Sequence, residues 1–136
     1  TATVAVVSGD TVTVAAVGDS YAMLYTGSHL LKVSVEHRLD TNKAERQRIL
    51  KAGGEVLRAD QKYPGEPSGP LRVWPGGLMV SRCIGDIDAK EAGVCALPDV
   101  SQLIVPSSGA RLMLASDGLW DGITPKQGAS ATKTAV

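Results

Sequence analysis

Two carboxylates, Asp117 and Asp121, follow directly on the apolar run Leu112-Met113-Leu114-Ala115. An uninterrupted run of that length predicts a buried strand covered on both faces. Gly118 then lets the backbone turn without a Cβ clash. If the chain enters a helical or 3₁₀ turn there, the four-residue spacing puts both carboxylates on one side. Two acids at such a rim repel each other and lose hydration, and a hard divalent cation relieves both costs. The plainer alternative is that Asp117 caps the following turn and Asp121 is solvated. A third acid, Asp19, stands between Gly18 and Ser20 at the end of another expected strand. Two strand ends carrying Gly/Asp pairs suit an oxygen-ligand site for Mg²⁺ or Mn²⁺ at one sheet rim. Gly18-Asp19-Ser20 is equally a common turn.

Other chemistries find less support. The two cysteines, Cys83 and Cys95, have no C-x-x-C spacing and no neighbouring histidine, which argues against zinc. They read as reduced thiols of an intracellular protein, cytoplasmic or nuclear. A catalytic cysteine needs a base, and the two histidines, His29 and His37, lie far from both thiols in sequence. Fourteen basic and fourteen acidic residues give a formal net charge of 0, so the chain has no electrostatic footprint for nucleic acid or an anionic membrane. The apolar runs are far too short to span a bilayer. At 136 residues the chain makes one small domain or part of a larger one. Its start, Thr1-Ala2-Thr3-Val4, carries no initiator Met and no charged leader, so an interior segment of a longer protein is expected.

The elements that must position these acids are mostly strands. Residues 1–17 alternate with a period of two around Ser8-Gly9-Asp10, which reads as a hairpin turn. Strands are expected at Tyr21 to Tyr25 and His29 to Val35, completing a Val-rich meander. Asn42 with Glu45 has the form of a capping box and opens a helix over Lys43 to Ala52, ended by Gly53-Gly54. Its Arg46, Arg48 and Lys51 read as a solvated face. Residues 58–70, rich in Pro and Gly, predict a long irregular loop. Leu71 to Trp74 and Leu78 to Val80 flank Pro75-Gly76-Gly77 as a hairpin. Val100 to Val105 is a further strand. Residues 125–136 show no apolar stripe, leaving a frayed helix or a disordered end. Many short strands with one clear helix indicate an α+β fold with antiparallel sheets.

Five stretches, in order, resemble the metal-dependent Ser/Thr protein phosphatases of the type 2C family. They are Val17-Gly18-Asp19-Ser20, Val35-Glu36-His37-Arg38-Leu39, Glu45 to Ile49 with Ala52-Gly53-Gly54, Gly77 through Ser81-Arg82-Cys83-Ile84-Gly85-Asp86, and Ala115 to Asp121. Leu71-Arg72-Val73-Trp74-Pro75-Gly76-Gly77 is similar to plant-type members. The resemblance covers residues 1–124 and implies two packed antiparallel β-sheets flanked by helices, a four-layer αββα sandwich. It implies a centre of two or more Mg²⁺ or Mn²⁺ ions, at which an activated water attacks phosphoserine or phosphothreonine in protein substrates. Asp117 matches a core metal ligand. Asp19 and Asp121 match acids of an additional, weaker metal position. Arg82 and Asp86 read as a structural pair, a buried charge bridge holding the loop beneath the site. Residues 55–77 match the family's variable flap, with Trp74 as a packing anchor.

The departures also matter. The family's first segment, with its phosphate-binding Arg and Asp-Gly-His-Gly-type motif, has no counterpart here, and neither does the Asp-Asn pair of its last segment. The domain is therefore expected to be partial over residues 1–136, incomplete at both ends and inactive alone, within an active, monomeric parent enzyme. The alternative is a truncated, non-catalytic phosphatase-like interaction or regulatory module. An upstream Asp-Gly-His-Gly-like segment and a downstream Asp-Asn separate the two.

Overall fold

The computed structural model describes residues 1–60 and 67–133. In chain order the elements are β1 (Ala2–Ser8), β2 (Thr11–Val17), β3 (Tyr21–Tyr25), β4 (Leu30–Lys32), α1 (Lys43–Lys51), β5 (Glu55–Arg58), β6 (Leu71–Trp74), β7 (Asp99–Ile104), β8 (Arg111–Ala115), α2 (Asp117–Trp120) and α3 (Pro125–Ala131). A 3₁₀ turn, Ile87–Ala89, lies between β6 and β7.

The strands build two three-stranded antiparallel sheets, ordered β1-β2-β7 and β4-β3-β8, and a small β5-β6 ribbon. The architecture is α+β, as expected. Period-two alternation explains the layering. Val12 and Val14 of β2 point inward to meet Ala22 and Leu24 of β3, with Val33, Leu103 and Leu112 closing the core between the sheets. The other face of the second sheet, through Met23 and Met113, is covered by Trp120 of α2 and Ala129 of α3. A third core gathers Leu39, Ile49, Val73, Val80 and Val94 beneath α1 and the ribbon. The outer face of the first sheet leaves Val4, Val6, Val100 and Ile104 exposed.

Several expectations need correction. The Leu112 strand is covered on one face by the core between the sheets at Leu112 and on the other by Trp120 at Met113, but it is the edge of its sheet among the described residues and leaves Leu114 41% exposed. The strand expected over His29 to Val35 is ordered as β4 over three residues. Leu71 to Trp74 pairs with β5 rather than forming a hairpin with residues 78–80, although Val73 keeps one bridge to Leu78. Residues 61–66 of the predicted loop lie outside the described residues, as do residues 134–136. The tail has a well-capped helix, α3. The Thr124 hydroxyl accepts from the Gln127 N–H, the Gln127 side chain accepts from the Thr124 N–H, and Pro125 occupies the first turn. That Thr-Pro-x-Gln signature was present in the sequence, and Gly128 and Ala129 are the residues the helix buries.

Candidate metal-binding site

The acids singled out from sequence converge. Asp19 follows β2. Asp117 opens α2, directly after β8, and Asp121 is the residue that ends that turn. Because Tyr21 pairs with Ala115 in the β3–β8 ladder, the two strand ends lie side by side. Asp117 and Asp121 face the same way, and the Asp121 N–H donates to the Asp117 carbonyl at 2.7 Å. Trp120 fixes α2 to the sheet. Its indole stacks on Tyr21 with centroids 4.8 Å apart, and its N–H donates to the Tyr21 carbonyl at 3.1 Å.

Arg38, a residue the sequence reading left without a role, stands at the centre. Its Nε donates to Asp19 Oδ2 at 3.3 Å, and its Nη2 donates to Asp117 Oδ2 at 3.1 Å and Asp121 Oδ2 at 2.9 Å. Nη1 adds a bond to Asp121 Oδ1 at 3.2 Å, and Glu36 Oε1 lies 4.0 Å from Nε. The hydrogen bond to Asp121, foremost among several, pushes the Arg38 pKa above its already high ordinary value. The Asp19 side chain is 10% exposed, while those of Asp117 and Asp121 are 45% and 61% exposed, so solvent reaches the rim from the α2 side.

The donor chemistry, three carboxylates, is that of a hard divalent cation. Their spacing, however, suits the planar guanidinium now between them. Among the described residues no three His, Cys, Asp or Glu side chains stand close enough to hold a metal ion by themselves.

Gly18 serves the rim through its backbone. Its φ is +98°, and a Cβ there would come within 2.2 Å of the Thr1 side chain. Gly118 is different: a Cβ would meet only the Ser116 hydroxyl at ordinary contact distance, so glycine is not required for this turn.

The expected Arg82–Asp86 pair does not form. Asp86 is exposed, in a left-handed conformation (φ 48°) after Gly85 (φ 85°), and the chain turns away there. Arg82 instead donates to Glu45 through Nε (3.1 Å) and Nη2 (3.0 Å), and it contacts Asp99 at 3.2 Å. Arg48, read as solvated, also donates to Glu45, at 2.8 Å from Nη2, and to the Gly93 and Ser81 carbonyls. Arg46 donates to the Leu39 carbonyl at 2.7 Å. Glu45 completes only half a capping box: its N–H bonds the Asn42 side chain, but its carboxylate is buried and turned to the two arginines and the Ser81 hydroxyl. From Asp99 the network continues to the fully buried His37. Nε2 donates to Asp99 at 2.9 Å, and Nδ1 accepts from the Gly18 N–H at 3.1 Å. A continuous chain of bonds therefore runs from α1 to the residue preceding Asp19. The His-Arg pair at 37–38 was visible in sequence, but its two roles depend on partners 19 to 83 positions away.

Burial works to raise the pKa of Glu45, but hydrogen bonds from Arg48, Arg82 and Ser81 outweigh it and hold the carboxyl well below the usual range. A depressed folded-state pKa means stability that is present above the unfolded value, about 4.3, and lost as pH falls through the folded one. Melting temperature should therefore drop steadily as pH is lowered below about 4.5, and by less in Glu45→Gln. Parallel thermal melts from pH 7 to 3 check this, and equal slopes would remove Glu45 as a cause.

Both cysteines are free thiols. Burial, followed by a hydrogen bond with Asp86, pushes the Cys83 thiol up, opposite to what a nucleophile needs. Among the described residues no helix is long and apolar enough to cross a membrane.

Comparison with known proteins agrees with this fold. The family model described as Protein phosphatase 2C matches residues 1–136. A rice (Oryza sativa subsp. japonica) protein named "Probable protein phosphatase 2C 33" is 46% identical over 134 residues, covering 98% of this chain and 31% of that protein. The Arabidopsis thaliana "Probable protein phosphatase 2C 5" is 45% identical over the same shares. The chain thus spans about a third of the length of these curated relatives. Among solved structures, the serine-threonine phosphatase 2C from Toxoplasma gondii superposes with a TM-score of 0.73 at 27% identity, covering 94% of this chain and 44% of that one. A C. elegans sex determining protein, at 24% identity and a TM-score of 0.70 over 85% of this chain and 26% of its own, shares the fold.

Proposed function

The chain belongs to the protein phosphatase 2C family, and on that premise we propose that the whole protein hydrolyses phosphoserine and phosphothreonine in other proteins at a binuclear Mg²⁺ or Mn²⁺ centre. The observation that carries the reading is the convergence of Asp19, Asp117 and Asp121, far apart in sequence, on one positively charged group at one sheet rim. When bound, divalent cations supply the charge that acidifies a water and neutralises phosphoryl oxygens. Toward that centre Asp117 would supply a core carboxylate, and Asp19 and Asp121 would supply oxygens at an additional position. The Tyr21–Trp120 stack holds the Asp117 and Asp121 pair, and the His37–Gly18 bond orients the turn bearing Asp19. The two free thiols support an intracellular setting.

The test is phosphate release from a phosphothreonine peptide by the full-length protein. Turnover is expected with Mn²⁺ or Mg²⁺, to vanish in EDTA and to return on adding Mn²⁺. Hydrolysis that survives EDTA, or none under any of these conditions, overturns the reading.

A further inference from the structure

We propose that Arg38 is an exchangeable counter-cation of the acidic rim, gathering Asp19, Asp117 and Asp121 when no divalent ion is bound and yielding their oxygens when one arrives. This rests on the reading of the rim as a divalent-cation site.

The geometry sets the two cations in competition for the same oxygens. Arg38 uses the Oδ2 atom of each of the three acids, at 2.9–3.3 Å. A divalent ion takes its oxygens at about 2.0–2.6 Å from one central point. The same three atoms cannot lie spread along a planar fork and be drawn around a point at once. Charge favours the exchange: three carboxylates against one guanidinium leave the rim two charges negative, with Glu36 Oε1 4.0 Å from Nε besides. The nearby Lys32 ammonium does not offset this, since it is paired with Glu36 at 2.6 Å.

Arg38 is also a tethered competitor. The His37 N–H donates to the Gly18 carbonyl at 2.8 Å, Arg38 itself bridges to Val80, and the fully buried Leu39 donates to the Met79 carbonyl at 2.9 Å. Backbone fixed on both sides delivers the guanidinium at a high local concentration that bulk salt does not dilute. The same contact keeps three like charges from splaying the rim apart in the metal-free protein.

The experiment is a Mn²⁺ titration of the full-length protein, following free Mn²⁺ by electron paramagnetic resonance. The relevant ion is the one whose binding Asp121→Asn abolishes. Arg38→Gln is expected to bind that ion about tenfold tighter. Arg38→Lys should fall between it and the wild type, because an ammonium cannot span three acids, and it keeps the question answerable should Arg38→Gln fold poorly. In EDTA, Arg38→Gln should melt below the wild type, with the gap closing in saturating Mn²⁺. Unchanged or weaker Mn²⁺ binding in both Arg38 variants overturns the exchange while leaving the phosphatase reading intact. A wild-type protein that takes up no Asp121-dependent Mn²⁺ overturns the exchange together with the additional cation position at the rim, while the phosphatase reading stands or falls on phosphate release with and without EDTA.

Discussion

Asp117→Asn in the full-length protein is expected to lower Mn²⁺-dependent turnover by at least about a hundredfold, since altering even an outer-shell partner of a metal ligand costs 10–100-fold. The substitution preserves shape and removes one negative charge. The amide oxygen can still accept from Arg38 Nη2, and the half-exposed side chain fills no core space, so the fold loses little. Activity and stability therefore separate: turnover collapses, while the melting temperature in EDTA stays within a few degrees. Steady-state kinetics at saturating Mn²⁺, with parallel melts, measure both. Turnover within a factor of about two of the wild type would show that Asp117 is not a ligand the reaction depends on.

Glu45→Ala should be the most damaging change to the fold, at about 3–5 kcal/mol, because it leaves the Arg48 and Arg82 guanidiniums without their shared carboxylate. Against a typical stability of about 5–15 kcal/mol, this is enough to unfold a marginal domain. Glu45→Gln should cost less, since an amide oxygen can still accept from one guanidinium. The damage is expected to reach the rim, because Arg82 also holds Asp99, which holds His37, which holds Gly18 beside Asp19. Urea unfolding of the three proteins checks the ranking, and a loss under about 1 kcal/mol in Glu45→Ala would mean the network carries little of the stability.

Much of the frame was legible from period and punctuation. The β1–β2 hairpin, β3 and α1 emerge close to where alternation, turn residues and Asn42 put them, because those signals are local. The rim acids were legible too, since strand-end acids beside glycine stand out against apolar runs. What stayed hidden was pairing over distance. Glu45 has the right spacing for a capping box, but two arginines and a serine draw its carboxylate inward instead, an outcome that needs Arg82 delivered from 37 residues away. Arg38 carried no role in the sequence, because the three acids that surround it come from different elements. Asp86 turns away from Arg82 in a left-handed conformation, and Gly118 occupies the expected turn without needing to be glycine, neither of which residue type alone reveals.

The Tyr21–Trp120 stack has a consequence for how the rim can deform. Asp117 and Asp121 ride on one short turn fastened by an indole, whereas Asp19 is tied through Gly18 to a buried imidazole. Two acids therefore share one anchor and the third has another, so the width of the opening between them depends on how the indole seats α2 against Tyr21 and Met113 of the second sheet.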